Sequence, residues 1–116
     1  MTKKIIVVTG GAGFVGSNLI NLLIKKTKYK IISIDNYSSG KKKNNIKNNR
    51  VNYIRADTIN ISHILKNTKG INSIFHFGEF ARIYQSFVKM NECINSNSIG
   101  TNAVFNYCLN NRIKLI

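Results

Sequence analysis

Glycines at positions 10, 13 and 16 punctuate the stretch Thr9-Gly10-Gly11-Ala12-Gly13-Phe14-Val15-Gly16, and one carboxylate, Asp35, follows some twenty residues on. Glycine lets a chain turn tightly and brings backbone N–H groups up to a ligand with no Cβ in the way. Where such a turn feeds a helix, the first N–H groups have no partner within the helix and face an anion. A carboxylate oxygen pair can accept hydrogen bonds from two neighbouring hydroxyls. These residue types therefore suit a phosphate held beside a sugar. A glycine triplet alone is also the mark of a flexible turn, and Asp35 before Asn36 is also a turn pattern, so the surrounding elements decide.

Ile5-Ile6-Val7-Val8 is a β-branched run bounded by glycines, which predicts a strand buried on both faces. Phe14 to Lys26 reads as a helix, with Val15, Leu19, Leu22 and Leu23 at helical spacing and Lys25 and Lys26 in the last turn, where the dipole favours cations. Tyr29 to Ile34 predicts a second strand ending at Asp35, and Val51 to Arg55 a third. Residues 59 to 67 form a short helix with Ile61, Ile64 and Leu65 inward, and Ile71 to Phe77 a fourth strand after the Gly70 break. A further helix is expected from about Asn95 to Asn110, carrying Ile99, Val104 and Leu109. Arg112 to Ile116 reads as the opening of a fifth strand.

Strands alternating with helices imply a parallel sheet. The expected fold class is α/β, a Rossmann-type doubly wound sheet in the order 3-2-1-4-5, one domain over residues 1–116. A fifth strand with no helix after it suggests a chain truncated there. In this setting the glycines fall where strand one meets helix one, and Asp35 falls at the end of strand two. That is the arrangement of a dinucleotide site: Gly10 for the turn, Gly13 for the pyrophosphate, Gly16 for close helix packing, and Asp35 for the adenosine ribose. The carboxylate favours NAD over NADP, although Lys41, Lys42 and Lys43 are near enough in sequence to offset a 2′-phosphate.

The spacing GxxGxxG, rather than GxGxxG, resembles the short-chain dehydrogenase/reductase superfamily. Val8-Thr9-Gly10-Gly11-Ala12-Gly13-Phe14-Val15-Gly16-Ser17-Asn18-Leu19 is similar to its extended branch, the NAD-dependent nucleotide-sugar epimerases and dehydratases. Asp35-Asn36-Tyr37-Ser38-Ser39-Gly40 resembles that family's ribose-binding loop. Asp57, followed by Thr58, matches the acid that meets the adenine amino group, and His76-Phe77-Gly78 resembles the end of the fourth strand flanking the dinucleotide. Asn97-Ser98-Ile99-Gly100-Thr101 is similar to the family's N-x-x-G-T segment, in which the Asn supports the active site. The resemblance thus implies a cofactor site drawn from Gly10, Gly13, Phe14, Val15, Gly16, Asp35, Asn36, Ser39, Asp57, Thr58, Phe77, Gly78, Ala81 and Asn97.

Other readings stand beside these. Asp57 also fits a cap for the helix that follows, His76 a strand-end residue packed under the cofactor, and His63 a helix-surface residue. Glu79 and Arg82 stand where the family more often has small apolar residues, and read either as an i,i+3 pair or as Arg82 facing an anionic substrate.

The resemblance further implies hydride transfer between a sugar carbon and the nicotinamide, with a Tyr-x-x-x-Lys pair and a Ser or Thr after strand five acting on the proton. We assign none of Tyr29, Tyr37, Tyr53, Tyr84 and Tyr107 to that pair. The pair and the substrate lobe are expected beyond Ile116, so this chain alone is expected to bind the dinucleotide without turnover. The partners implied are a nucleotide sugar and a second copy docking through the helix near 95–110. A stand-alone, non-catalytic dinucleotide-binding or interaction module is the alternative.

The net charge of +14, from 18 Lys and Arg against 4 acids, suggests an anionic partner. The excess of Lys, Asn and Ile, with no proline, is also what A/T-rich codons produce. The two basic runs lack the interleaved aromatics of a single-strand binding platform, which disfavours nucleic acid. Apolar runs stay far below the roughly 20 residues needed to cross a bilayer, and no signal peptide is evident, so a cytoplasmic protein is expected. Cys93 and Cys108 lack metal-ligand spacing, so no metal is expected and both read as small buried side chains.

Overall fold

Strand β1 (Ile5–Thr9) is buried along nearly its whole length because its β-branched side chains alternate between two packed faces of one sheet. The computed structural model describes residues 3–38, 40–78 and 90–116. Strands β2 (Lys30–Asp35), β3 (Val51–Arg55), β4 (Ile71–His76) and β5 (Lys114–Leu115) join β1 in the order β3-β2-β1-β4-β5, every pairing parallel. This is the predicted Rossmann-type order. On one face Val7, Ile34 and Ile74 pack with Ile61, Leu65, Val104 and Cys108, and on the other Ile6, Val8 and Ile31 pack with Ile20 and Leu23.

Helix α1 (Phe14–Lys26) has the expected bounds, but its inward face is Gly16, Ile20 and Leu23. Val15 and Leu22, predicted inward, are 55% and 52% exposed. Gly16 sets the phase: its bare Cα lies against Gly10, and the residues four and seven further on then turn to the sheet. At the far end, the Arg50 guanidinium donates to the carbonyls of Ile24 and Thr27, which the helix leaves open, at 2.5 and 2.8 Å, and to that of Tyr29 in the following loop at 3.1 Å.

The helix expected over 59–67 is shorter, a 3₁₀ turn (Thr58–Asn60) leading into α2 (Ile61–Ile64). Ile61 and Leu65 are buried and Ile64 packs at the edge of the core. Gly70, at φ +79°, then turns the chain into β4. After the segment outside the described residues come α3 (Met90–Ile94), a π-helical stretch (Asn95–Gly100) and α4 (Thr101–Asn111). Of the predicted stripe only Val104 faces the core, accompanied by Tyr107 and Cys108, while Ile99 and Leu109 are 48% and 66% exposed. The π-helical stretch widens the turn, so a 3.6-residue register carried from Ile99 into α4 arrives out of phase, while Leu109, five residues beyond Val104, lies about 140° round α4 from it. Burial pushes the Cys108 thiol up, which keeps it a packing group rather than a nucleophile; the Cys93 side chain lies outside the described residues.

The parallel topology also gathers cations that are spread along the sequence. Lys3, Lys4, Lys30, Lys69 and Lys114 precede or open strands whose starts share one edge, opposite the ends where Asp35 and His76 lie. Among the described residues no helix is long and apolar enough to cross a membrane.

Candidate functional site

The sheet order reverses at β1: the chain moves outward through β2 and β3, then returns to place β4 on the other side. A crevice opens at the carboxyl ends of strands at such a switch point. Here it is a cleft of about 430 Å³ between the β1–α1 turn and the ends of β2, β3 and β4.

The floor of the cleft is the glycine turn. Gly10 sits at φ +72°, a conformation open to glycine, and a Cβ there would meet the Phe77 carbonyl oxygen at 2.5 Å. A Cβ on Gly16 would collide with the Gly10 carbonyl, so the helix approaches the turn as closely as its backbone permits. Gly13 is the N-cap of α1, with ordinary φ −80°, and it offers no side chain to the helix start; no acid stands in the first turn. The helix dipole and the leading N–H groups therefore point into the cleft without an internal anion to neutralise them. Phe14 and Val15 line the same wall with their side chains largely exposed.

Asp35 closes the side formed by β2. It is buried, its Oδ2 accepts the Ala12 N–H at 3.0 Å, and its Oδ1 accepts the Tyr37 N–H at 2.7 Å. The carboxylate thus ties the glycine turn to the β2 loop while still lining the cleft. Asn36 lines it too, its Oδ1 accepting the Ser38 N–H at 2.9 Å. From β3 come Asp57 and the buried Thr58. Asp57 occupies the N-cap position of the 3₁₀ turn but makes no side-chain cap bond, so its carboxylate is not spent on that turn. Phe77 and Gly78 complete the opposite wall.

Most of the predicted site residues therefore share one cleft. Asn97 does not line it; it lies half-buried in the π-helical stretch. Ser39 and Ala81, with Glu79 and Arg82, lie outside the described residues. His63 is exposed on α2, as read from the sequence. Sequence reasoning missed Gly11, where a Cβ would strike the Ser33 hydroxyl, and Gly40, where it would stand 2.7 Å from Asp35 Oδ2. The doubled glycine at 10–11 and the Ser-Ser-Gly end of the β2 loop were the available signals.

Tyr37 does carry a lysine four residues on, Lys41, so the Tyr-x-x-x-Lys spacing occurs within this chain. It is not the acid/base pair, because four residues bring two side chains to one face only on a helix. Tyr37 lies in a loop at φ +61°, its hydroxyl accepts the Asn45 side-chain amide at 2.8 Å, and Arg55 stands 5.4 Å above its ring.

His76, at the end of β4, joins three elements. Its Nδ1 is 2.6 Å from the hydroxyl of Thr9 on β1 and its Nε2 is 3.0 Å from the hydroxyl of Thr101 at the start of α4. The same Thr9 oxygen accepts the N–H groups of Phe77 and Gly78, each at 3.0 Å.

A parallel sheet with a glycine turn into an uncapped helix, and with a carboxylate at the next strand end, defines a dinucleotide-binding domain of the Rossmann class. Residues 6–116 match the NAD dependent epimerase/dehydratase family, and the chain belongs to it. It is 32% identical over 115 residues to a trifunctional UDP-glucose 4,6-dehydratase/UDP-4-keto-6-deoxy-D-glucose 3,5-epimerase/UDP-4-keto-L-rhamnose-reductase of Arabidopsis thaliana, covering 92% of this chain and 17% of that protein. It is 28% identical over 113 residues to the ADP-L-glycero-D-manno-heptose-6-epimerase of Alkalilimnicola ehrlichii, covering 96% of this chain and 35% of that one. Among solved structures, a UDP-N-acetylglucosamine 4-epimerase from Methanobrevibacter ruminantium M1, in complex with UDP-N-acetylmuramic acid, superposes with a TM-score of 0.82 at 32% identity, over 99% of this chain and 37% of that one. The chain thus spans little more than a third, at most, of these relatives' length.

Proposed function

We propose that residues 1–116 are the NAD-binding part of a nucleotide-sugar epimerase or dehydratase that works by transient hydride transfer. The observation that carries this is the floor of the cleft: the start of α1 is without a side-chain cap or an acid, and a Cβ on Gly10 or Gly16 would fill the space behind it. A pyrophosphate fits that chemistry, held by the main-chain N–H groups of Phe14, Val15 and Gly16, the Gly13 N–H being bonded to the Gly10 carbonyl at 3.1 Å. Asp35, with both oxygens already accepting one N–H each, keeps lone pairs for the two ribose hydroxyls. Asp57 is available to the adenine amino group. The bound nicotinamide would supply a hydride acceptor and donor; the residues of this chain bind and orient it. No residue of this chain is assigned an acid/base role, and the reading places that role, and the sugar, in the larger share of the relatives' length.

NAD is favoured over NADP because a 2′-phosphate would meet the Asp35 carboxylate at close range. Calorimetric titration of the chain with both dinucleotides is the test. NAD is expected to bind, with NADP weaker by about tenfold. No binding of either would remove the reading, and tighter binding of NADP would reverse the preference.

The same reading includes a homodimer. Among the described side chains from α3 to α4, the apolar Met90, Ile94, Ile99, Phe105 and Leu109 are exposed, apolar surface of the kind that marks an interaction site. Sedimentation of the chain is expected to show a dimer, and Phe105→Glu with Leu109→Glu a monomer of unchanged stability. A monomeric native chain would transfer that face to another partner.

A further inference from the structure

We infer that His76 is a positioning residue for the cleft: held neutral with its proton on Nε2, it fixes the Thr9 hydroxyl and, through it, the Phe77–Gly78 main chain. That this main chain walls a nucleotide site rests on the function proposed above; the relay itself does not.

Counting donors and acceptors assigns the tautomer. Thr9 is fully buried, and its hydroxyl oxygen receives two backbone N–H groups, from Gly78 and from Phe77, the latter shared with the Thr9 carbonyl at 3.1 Å. Backbone amides only donate, so they occupy the oxygen's two lone pairs, and the hydroxyl has one proton left to give. The remaining neighbour is His76 Nδ1 at 2.6 Å, which therefore accepts. An imidazole accepting at Nδ1 carries its proton on Nε2, which donates to the Thr101 hydroxyl at 3.0 Å. A proton on Nδ1 would set a third donor against the Thr9 hydroxyl oxygen; the Phe77 amide could fall back on the Thr9 carbonyl, at 3.1 Å, but the buried hydroxyl proton would then have no acceptor.

The relay has a direction and an end point. It runs from α4 through β4 to β1 and returns to the two residues that leave β4 for the cleft. Those two residues touch the glycine floor: a Cβ built on Gly10 lies 2.5 Å from the Phe77 oxygen and 3.0 Å from the Gly78 nitrogen, and one built on Gly78 lies 3.1 Å from the Thr9 hydroxyl. A rotation of the Thr9 hydroxyl therefore moves the wall and the turn together. Packing alone would make the histidine's shape matter, whereas the relay makes its Nδ1 lone pair matter.

Two measurements separate these roles. Long-range ¹H–¹⁵N correlation on the ligand-free chain at neutral pH is expected to show His76 as the Nε2–H tautomer with a bare Nδ1; an Nδ1–H tautomer or an imidazolium would overturn the assignment. His76→Asn keeps an acceptor near the Nδ1 position, and His76→Phe keeps the ring without one. The Phe77 and Gly78 amide signals should stay near their native positions in the first variant and move in the second. The NAD dissociation constant should rise less than about threefold in the first and about tenfold in the second. Equal losses in both would reduce His76 to packing. If the native chain does not bind NAD, the tautomer and the amide shifts still decide the relay while the functional reading fails by itself; if His76→Phe does not fold, the tautomer of the native chain decides.

Discussion

Gly10→Ala is expected to destabilise the chain by about 3 kcal/mol, read as a lower urea midpoint with an unchanged slope. Two costs add. At φ +72° an L side chain pays a left-handed penalty of roughly 1–2 kcal/mol, and the new Cβ is forced against the Phe77 carbonyl and the Gly78 nitrogen. Those atoms are main chain and both amides are anchored on the Thr9 hydroxyl, so the ends of β1 and β4 must part. Dinucleotide affinity should fall with the cradle, by more than about tenfold. Gly13→Ala is the companion. At φ −80° and ψ 178° alanine is at ease, and its Cβ would meet only the Gly10 oxygen at 3.3 Å. Stability should change by less than about 1 kcal/mol, yet dinucleotide binding should weaken, because the methyl group stands beside the helix start that the pyrophosphate would approach. Native affinity in Gly13→Ala would mean that the phosphates lie elsewhere.

Asp35→Ala is expected to cost about 3 kcal/mol of stability and at least about tenfold in NAD affinity. The stability loss follows from two charge-assisted hydrogen bonds, one of which leaves the buried Ala12 N–H without an acceptor. The affinity loss follows from the ribose hydroxyls losing their partner. Asp35→Asn separates the two: the amide keeps one acceptor oxygen, so stability should recover in part, while NADP should gain on NAD once the charge is gone. Urea titration with calorimetry checks both. Native stability in Asp35→Ala would deny the carboxylate its role in the turn, and an unchanged NAD to NADP ratio in Asp35→Asn would deny it the cofactor preference.

What could be read from the sequence was local or periodic. Ile5 to Val8 could hardly be other than a buried strand, and the bounds of α1 followed from a glycine turn at one end and Lys25-Lys26 at the other. Alternation of strands and helices then implied a parallel sheet, and the expected order 3-2-1-4-5 is the one observed. What could not be read depended on contacts between distant segments or on a local change of helical geometry. Val15 and Leu22 match the helical period as well as Ile20 does, and only the contact of Gly16 with Gly10 shows which face turns inward. Nothing in Asn95 to Gly100 announces a π-helical stretch, so Ile99 was carried into the stripe, and Leu109 was placed inward although it lies five residues beyond Val104, where Tyr107 and Cys108 keep the helical period.

The site divides along the same line. Its acids and glycines were legible because their chemistry is bound to their position at strand ends. The second task of Asp35, holding the Ala12 N–H, appears only when β1 and β2 lie side by side. The Thr9, His76 and Thr101 relay links residues from three elements that no spacing rule connects. The Tyr37 and Lys41 spacing is the opposite case, a pattern present in the letters that the loop conformation empties of meaning.

Backbone amide mapping of the ¹⁵N-labelled chain during titration with NAD tests the central claim most directly. The account expects the largest shifts at Gly13, Phe14, Val15 and Gly16, with a second group at Asp35, Asn36 and Asp57, and none at Lys69 or Lys114 on the opposite edge. Shifts confined to that opposite edge, or a titration that leaves residues 13 to 16 where they began, would contradict it.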